Sequence, residues 1–262
     1  MAELAALLPK DVPGIAWAFL ILFARIGAIL MLLPVFSDDA VPGRIRLLFA
    51  FAMTLGLWGL LSDRVLPLVA DPAQLGITLP GILVVECLTG LALGMIVRIL
   101  FQAAAMAGSI ISLQIGLTSA LVPDAAQGGT ATVLSKLVGV AAAVTCLSLS
   151  VHHLWIASMV QSYASFPPGV VPRPGDFAAL AVRSLTQSSV LAVGLAAPLL
   201  VYGIVFNVAL GMSARLAPAL QIFFVAQPLN LLIGFALVAL IGGSVLTRFA
   251  SAMEAWSRTG LP

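Results

Sequence analysis

Six long apolar runs organise the chain, at 15–36, 45–61, 79–101, 131–160, 178–210 and 219–247. A helix needs about 20 apolar residues to cross a bilayer, and most of these runs reach that length. Helix is the expected state, because a single chain in lipid must satisfy its backbone polar groups internally. The second run is short. The last two are long and carry Pro198 and Pro228. A proline there removes a backbone hydrogen bond and is expected to bend its helix. Pro-Gly-rich breaks fall at 37–43, 63–78, 165–175 and 211–218, and FPPGVVPRPGD (166–176) is the clearest loop. No internal repeat or low-complexity tract is visible.

Composition narrows the class. The chain is 61% hydrophobic and 8% charged, against about 25% charged in an ordinary soluble domain. Its mean hydropathy is +1.16. An integral membrane protein is expected. The 12 basic and 10 acidic residues form no basic cluster, and without a basic stripe a nucleic-acid partner is excluded. Cys87 and Cys146 sit singly in apolar runs and read as small packing residues. The first apolar run follows MAELAALLPKD and reads as a retained span, since no basic n-region precedes it. Six alternating spans would put Arg44, Arg46, Arg98, Lys136 and Arg215 on one side. Lys10, Arg64, Arg173, Arg183, Arg248 and Arg258 would fall on the other. That balance gives no orientation by the positive-inside rule. It hints that the helices do not thread the bilayer in simple alternation.

One stretch fits neither a lipid-facing span nor a solvated loop. SLQIGLTSALVPDAAQGGTATVL (112–134) is rich in Gly, Ser, Thr and Ala, and its one charge is Asp124. Small residues lead into it at Ala104, Gly108, Ser112, Gly116 and Ala120, and GLALG (90–94) adds a further pair. Such rows let helix backbones approach closely. Pro123 and Gly128-Gly129 should end any helix. One reading is a close-packed helix followed by a connecting loop. The other is a segment that packs tightly in one state and moves in another.

Three charges lie within or at the ends of apolar runs: Arg25, Glu86 and Arg98. Each costs on the order of 3 kcal/mol at a bilayer centre. Glu86 and Arg98 would stand about 18 Å apart on one straight helix, too far to pair. Arg25 and Glu86 sit at similar depth in the first and third runs, so they could pair across helices. They would then form a structural ion pair or contacts with partner subunits; a polar path for protons or substrate is the other possibility.

Enzyme signals are weak. GMSA (211–214) resembles an intramembrane serine nucleophile, but His152 and His153 precede it where a rhomboid protease has its histidine afterwards. Adjacent histidines face different sides of a helix and make a poor metal pair. No HExxH, Walker loop or carboxylate pair in a sensible context appears.

Four blocks, taken in order, resemble the FliR family of flagellar export-gate proteins and its counterpart, the T component of virulence type III secretion. The first is RIGAILMLLPVFSDDAVPGRIRLLF (25–49), with Arg25, Pro34, Pro42 and Arg44 at the matching places. The second is ECLTGLALGMIVRILFQAAAMAGSIISLQIGLTSALVPD (86–124), with Glu86, Gly90, Gly94, Gly108, Gln114 and Gly116. The third is HHLWIASMVQSYASFPPG (152–169), a helix end leading into a turn. The fourth is NVALGMSARLAPALQIFFVAQPLNLLIG (207–234), with Asn207, Gly211, Arg215, Pro218 and Pro228. Two departures stand out: Pro123-Asp124 where the family often has Asp-Pro, and Pro218-Ala219 where it has Pro-Gln.

The resemblance implies an all-α membrane protein of about six bent hydrophobic helices arranged as helical hairpins. Residues 1–175 would be a FliP-like part and 176–262 a FliQ-like hairpin and tail. It implies a non-enzymatic subunit, without cofactor or metal, in the bacterial inner membrane at the flagellar basal body. Its partners would be FliP-like and FliQ-like proteins, FlhB-like and FlhA-like export proteins, membrane lipid, and unfolded substrates in transit. Energy would come from an associated ATPase and the proton gradient. Residues of about 109–128 would plug the pore, with Gly108, Ser112, Gln114, Gly116, Pro123, Asp124, Gly128 and Gly129 as plug and hinge positions. Arg25, Arg44, Glu86, Arg98 and Arg215 would serve assembly, and Pro34, Pro42, Pro218 and Pro228 turns or hinges. A small secondary transporter is the alternative. It would expect inverted repeats and broken helices around a midplane site.

Overall fold

The computed structural model describes residues 12–36, 41–70, 72–117, 121–124, 129–216 and 222–259. Its helices are α1 (Val12–Leu32), α2 (Gly43–Val65), α3 (Pro72–Ile115), α4 (Val133–Ser148), α5 (Val151–Ser165), α6 (Pro174–Leu216) and α7 (Ile222–Thr259). A 3-10 turn, Leu66–Val69, follows α2, and two short strands, β1 (Leu121–Asp124) and β2 (Gly129–Thr132), lie between α3 and α4. Among the described residues, five helices are long and apolar enough to cross a membrane, and α4 with α5 makes a sixth if the bent pair is one span. The fold is an all-α membrane protein that also carries a small antiparallel ribbon.

The chain differs from its hydrophobic pattern in two places. The third run predicts a helix ending near 101, but α3 continues to Ile115. Ala103, Ala104, Ala107, Ile111, Ser112 and Ile115 recur every three or four residues and are buried, so packing extends the helix where hydropathy fades. The fourth run predicts one helix, but the chain turns at Leu149 and Ser150, where Ser150 takes a φ of +61°. By contrast α6 and α7 remain helical through Pro198 and Pro228.

The chain forms two compact units, each drawn from separate stretches of sequence. One comprises 1–98, 153–181 and 259–262; the other comprises 99–152 and 182–258. In the first, α1 buries Ala18, Ile21, Leu22, Arg25, Ile26 and Ile29 along one stripe, the spacing of a helix face. Phe19 and Phe51 meet on another side, with centroids 5.2 Å apart. Gly90 and Gly94 bring the first half of α3 against α1. A Cβ on Gly90 would lie 2.5 Å from the Arg25 carbonyl oxygen, and one on Gly94 would lie 2.9 Å from Leu32 Cβ.

In the second unit, α6 buries Ser184, Ser188, Ala192, Leu195, Ala196, Leu199 and Gly203, again one helical stripe. Phe101 meets Phe249 of α7 edge to face at 5.3 Å. Gly108 lies inside α3 against the start of α4, where an added Cβ would sit 2.6 Å from Ser135 Cα. The Ser135 hydroxyl donates to the Ala105 carbonyl at 2.8 Å and ties the two helices there. β1 and β2 pair antiparallel, with Leu121 opposite Thr132 and Asp124 opposite Gly129.

Candidate functional site

Two polar clusters stand out in the apolar frame, one in each unit. The first centres on Arg25, fully buried on α1, and Glu86, fully buried on α3. Arg25 Nε donates to Glu86 Oε2 at 2.6 Å, and Nη2 donates to Oε1 at 2.9 Å. This is the two-pronged geometry that a planar guanidinium offers a carboxylate. Arg25 Nη1 donates to the carbonyls of Phe166 at 2.9 Å and Ser162 at 3.4 Å. The Tyr163 ring lies under the guanidinium, 4.2 Å from Cζ to the ring centroid, a favourable cation–π placement.

The loop after α5 completes this cluster. Pro167, Pro168, Gly169 and Val170 form a tight turn, closed by the Val170 amide donating to the Pro167 carbonyl at 3.3 Å. Gly169 has a φ of +75°, the conformation that a Pro-Gly turn of type II needs at its third residue. Its amide donates to Glu86 Oε1 at 3.0 Å. The ion pair therefore binds α1, α3, the end of α5 and the following turn into one knot. Each guanidinium nitrogen and both carboxylate oxygens have a partner, so the pair is suited to holding segments together rather than to passing protons.

The second cluster closes the end of α3. Gly116 takes a φ of +80°, and Leu117 donates its amide to the Ser112 carbonyl at 2.9 Å while Gly116 donates to Leu113 at 3.4 Å. These two bonds form a Schellman cap. They leave the Gln114 carbonyl without a partner from its own helix. Asn230 of α7 supplies one, donating from Nδ2 at 3.2 Å. The Tyr202 hydroxyl of α6 donates to Asn230 Oδ1 at 2.8 Å and fixes the amide. Glycines open the way for this approach. The Gln114 side chain packs on Gly203, the Ile115 side chain on Gly234, and Gln227 Nε2 against Gly116.

Within 109–128 the described residues fall into two parts. Ser109 to Ile115 belong to α3, and Ser112 is buried. The ribbon follows, with Pro123 opposite Thr130 and Asp124 opposite Gly129. Its far end is fixed by Thr132, whose Oγ1 accepts from the Ser135 amide at 3.2 Å and from the Ser112 hydroxyl at 2.9 Å. That is the N-cap of α4. Of the expected plug, 118–120 and 125–128, Gly128 among them, lie outside the described residues, as does Pro218.

The remaining expected positions scatter. Arg98 is half-buried on α3, and Arg44 is exposed in the first turn of α2. Arg215 is exposed in the last turn of α6, where a cation complements the helix dipole. Pro34 lies buried in the turn after α1. The Pro42 carbonyl accepts from Ile45 and Arg46 at the start of α2. Pro228 is exposed within α7. Sequence reasoning left open whether Arg25 and Glu86 pair, which the structure shows they do, and it missed Tyr163, Gly169, Tyr202 and Asn230. A signal for Asn230 was present: an amide inside the apolar run LNLLIG needs a partner in a membrane helix.

A family model described as bacterial export proteins, family 1, matches residues 16–256. The chain is 40% identical over 220 residues to the flagellar biosynthetic protein FliR of Caulobacter vibrioides, covering 84% of this chain and 86% of that protein. This chain belongs to the FliR family of bacterial export proteins. It is also 31% identical to FliR of Escherichia coli over 220 residues, 82% of this chain and 80% of that one. To FliR of Bacillus subtilis it is 29% identical over 224 residues, 84% of each. The family match, 16–256, spans both polar clusters and the ribbon between α3 and α4.

Proposed function

We propose that this protein is a structural and gating subunit of the flagellar protein export gate in the bacterial inner membrane. With FliP-like and FliQ-like proteins it forms the entry channel for unfolded substrates, next to FlhA-like and FlhB-like components. Residues 1–175 form the FliP-like part and 176–262 the FliQ-like hairpin and tail. In this reading the chain catalyses nothing; it holds a channel closed and lets it open.

The observation that carries the reading is the segment between α3 and α4. It is short and weakly polar, it forms a ribbon rather than a helix, and it is anchored at both ends, by Gly116 and by Thr132. A segment that closes a pore must fill it, yet leave without the cost of desolvating charges. Apart from Asp124 at the end of β1, the ribbon residues are neutral, which keeps the cost of leaving low. The Arg25–Glu86 knot is the complementary feature, an expensive and fully satisfied contact that stays put. The ribbon then moves while the first unit remains whole.

Purification of the complex in mild detergent, followed by mass spectrometry, tests the assembly. FliP-like and FliQ-like chains in a stable complex support the reading; a lone, well-behaved protein favours a transporter. Deletion of 118–128 tests the gate. It keeps Leu117, which completes the cap of α3, and the Thr132 cap of α4, and it should raise ion leakage. Unchanged leakage from an intact complex would overturn the gating role.

A further inference from the structure

We infer that Asn230, oriented by Tyr202, is a latch through which the α6–α7 pair controls the segment that follows α3. The inference deepens the gate reading and rests on it. The geometry is specific. The Schellman cap at Gly116 satisfies the carbonyls of Ser112 and Leu113. The next carbonyl, Gln114, is served by a side chain from another helix, Asn230. Asn230 is 7% exposed, so water does not readily replace it. Its own carbonyl oxygen is held by Tyr202. Both α6 and α7 therefore grip the last turn of α3, at the point where the chain leaves for β1.

The chemistry of this grip differs from that of the Arg25–Glu86 knot. Every group in it is neutral. A neutral hydrogen bond contributes little net free energy, and breaking it leaves no stranded charge. The packing around it relies on Gly203 and Gly234, which offer shallow notches for Gln114 and Ile115. A small slide of the α6–α7 pair would withdraw Asn230 and both notches together. The last turn of α3 would lose its outside partner, and Gly116 would no longer be held against Gln227. Rearrangement of the pair thereby releases the segment carrying β1 and β2.

The test uses the whole export complex in its native membrane, with passive leakage of a small ion as readout and complex yield and melting temperature as controls. Asn230→Leu should raise leakage severalfold at unchanged yield, and Tyr202→Phe should raise it less. Gly94→Ala, in the first unit, should lower the melting temperature without leakage. Equal leakage from Gly94→Ala would mean that leakage reports only lost stability, and would overturn the latch. Wild-type leakage in both latch variants would also overturn it. If Asn230→Leu prevents assembly, Tyr202→Phe decides alone, since it removes a single hydroxyl. The 118–128 deletion separates the two ideas. Leakage from the deletion but not from the latch variants removes the latch and leaves the gate, whereas leakage from none of them removes both.

Discussion

At the scale of single residues, the Arg25–Glu86 pair makes two opposite demands. Burying both ions is costly, and removing one strands the other, an effect of about 3–5 kcal/mol in buried pairs. Arg25→Ala and Glu86→Ala should therefore each sharply lower the yield of assembled complex. The double variant Arg25→Met with Glu86→Leu should lose less than either, as measured by melting of the purified complex. A charge swap, Arg25→Glu with Glu86→Arg, should not rescue. Arg25 also donates to the Ser162 and Phe166 carbonyls, and Glu86 accepts the Gly169 amide. Reversal would set a carboxylate against carbonyls and a guanidinium against an N–H. A rescued swap would show that these backbone contacts are dispensable. The sequence showed only that the pair was possible, because two isolated charges lie at matching depth in apolar runs; the contact itself is seen in the structure. Its backbone partners were not legible at all, since the fold of 162–169 around Arg25 depends on a contact 137 or more residues away in the chain.

At the scale of elements, the spacing of small residues proved more informative than hydropathy. The row Ala104, Gly108 and Ser112 marks the face on which α3 meets the start of α4, and it explains why α3 outlasts its apolar run. The ends of elements were read less well. The tight turn at Ser150 and the ribbon pairing of 121–124 with 129–132 depend on tertiary contacts that leave no period in the sequence. The packing gives a graded prediction. Gly90→Ala and Gly108→Ala force a Cβ to within 2.5 and 2.6 Å of neighbouring backbone atoms. Overpacking of that kind costs about 1–3 kcal/mol. Gly139, in α4, has nothing within 4 Å of its Cβ position. Gly139→Ala should leave melting unchanged or raise it slightly, because Ala favours helix over Gly by roughly 0.5–1 kcal/mol. Thermal melting of the three variants, side by side, checks the order.

At the scale of the whole molecule, both units carry much apolar surface on the outside. Leu47, Leu48, Phe51, Leu55 and Leu60 of α2 are half or more exposed, as are Val201, Ile204, Val205 and Val208 of α6 and Leu229, Leu232 and Leu240 of α7. Large exposed apolar surface on a helix requires cover by lipid or by protein. Lipid alone would leave the chain independent; a multi-subunit gate would share these faces with other helices. The two cases separate in an expression experiment. A shared face predicts that the chain made alone is degraded or aggregates after extraction, and that co-expression with FliP-like and FliQ-like partners recovers a single sharp species by size exclusion. Recovery of that species by the chain alone would assign these faces to lipid and undercut the assembly. The same preparation then reports on Gly139. Its position is open within this chain, so a loss of complex yield on Gly139→Ala would place α4 at a subunit boundary. If the yield is unchanged, that face of α4 meets lipid, and the partners must be sought along α2, α6 and α7.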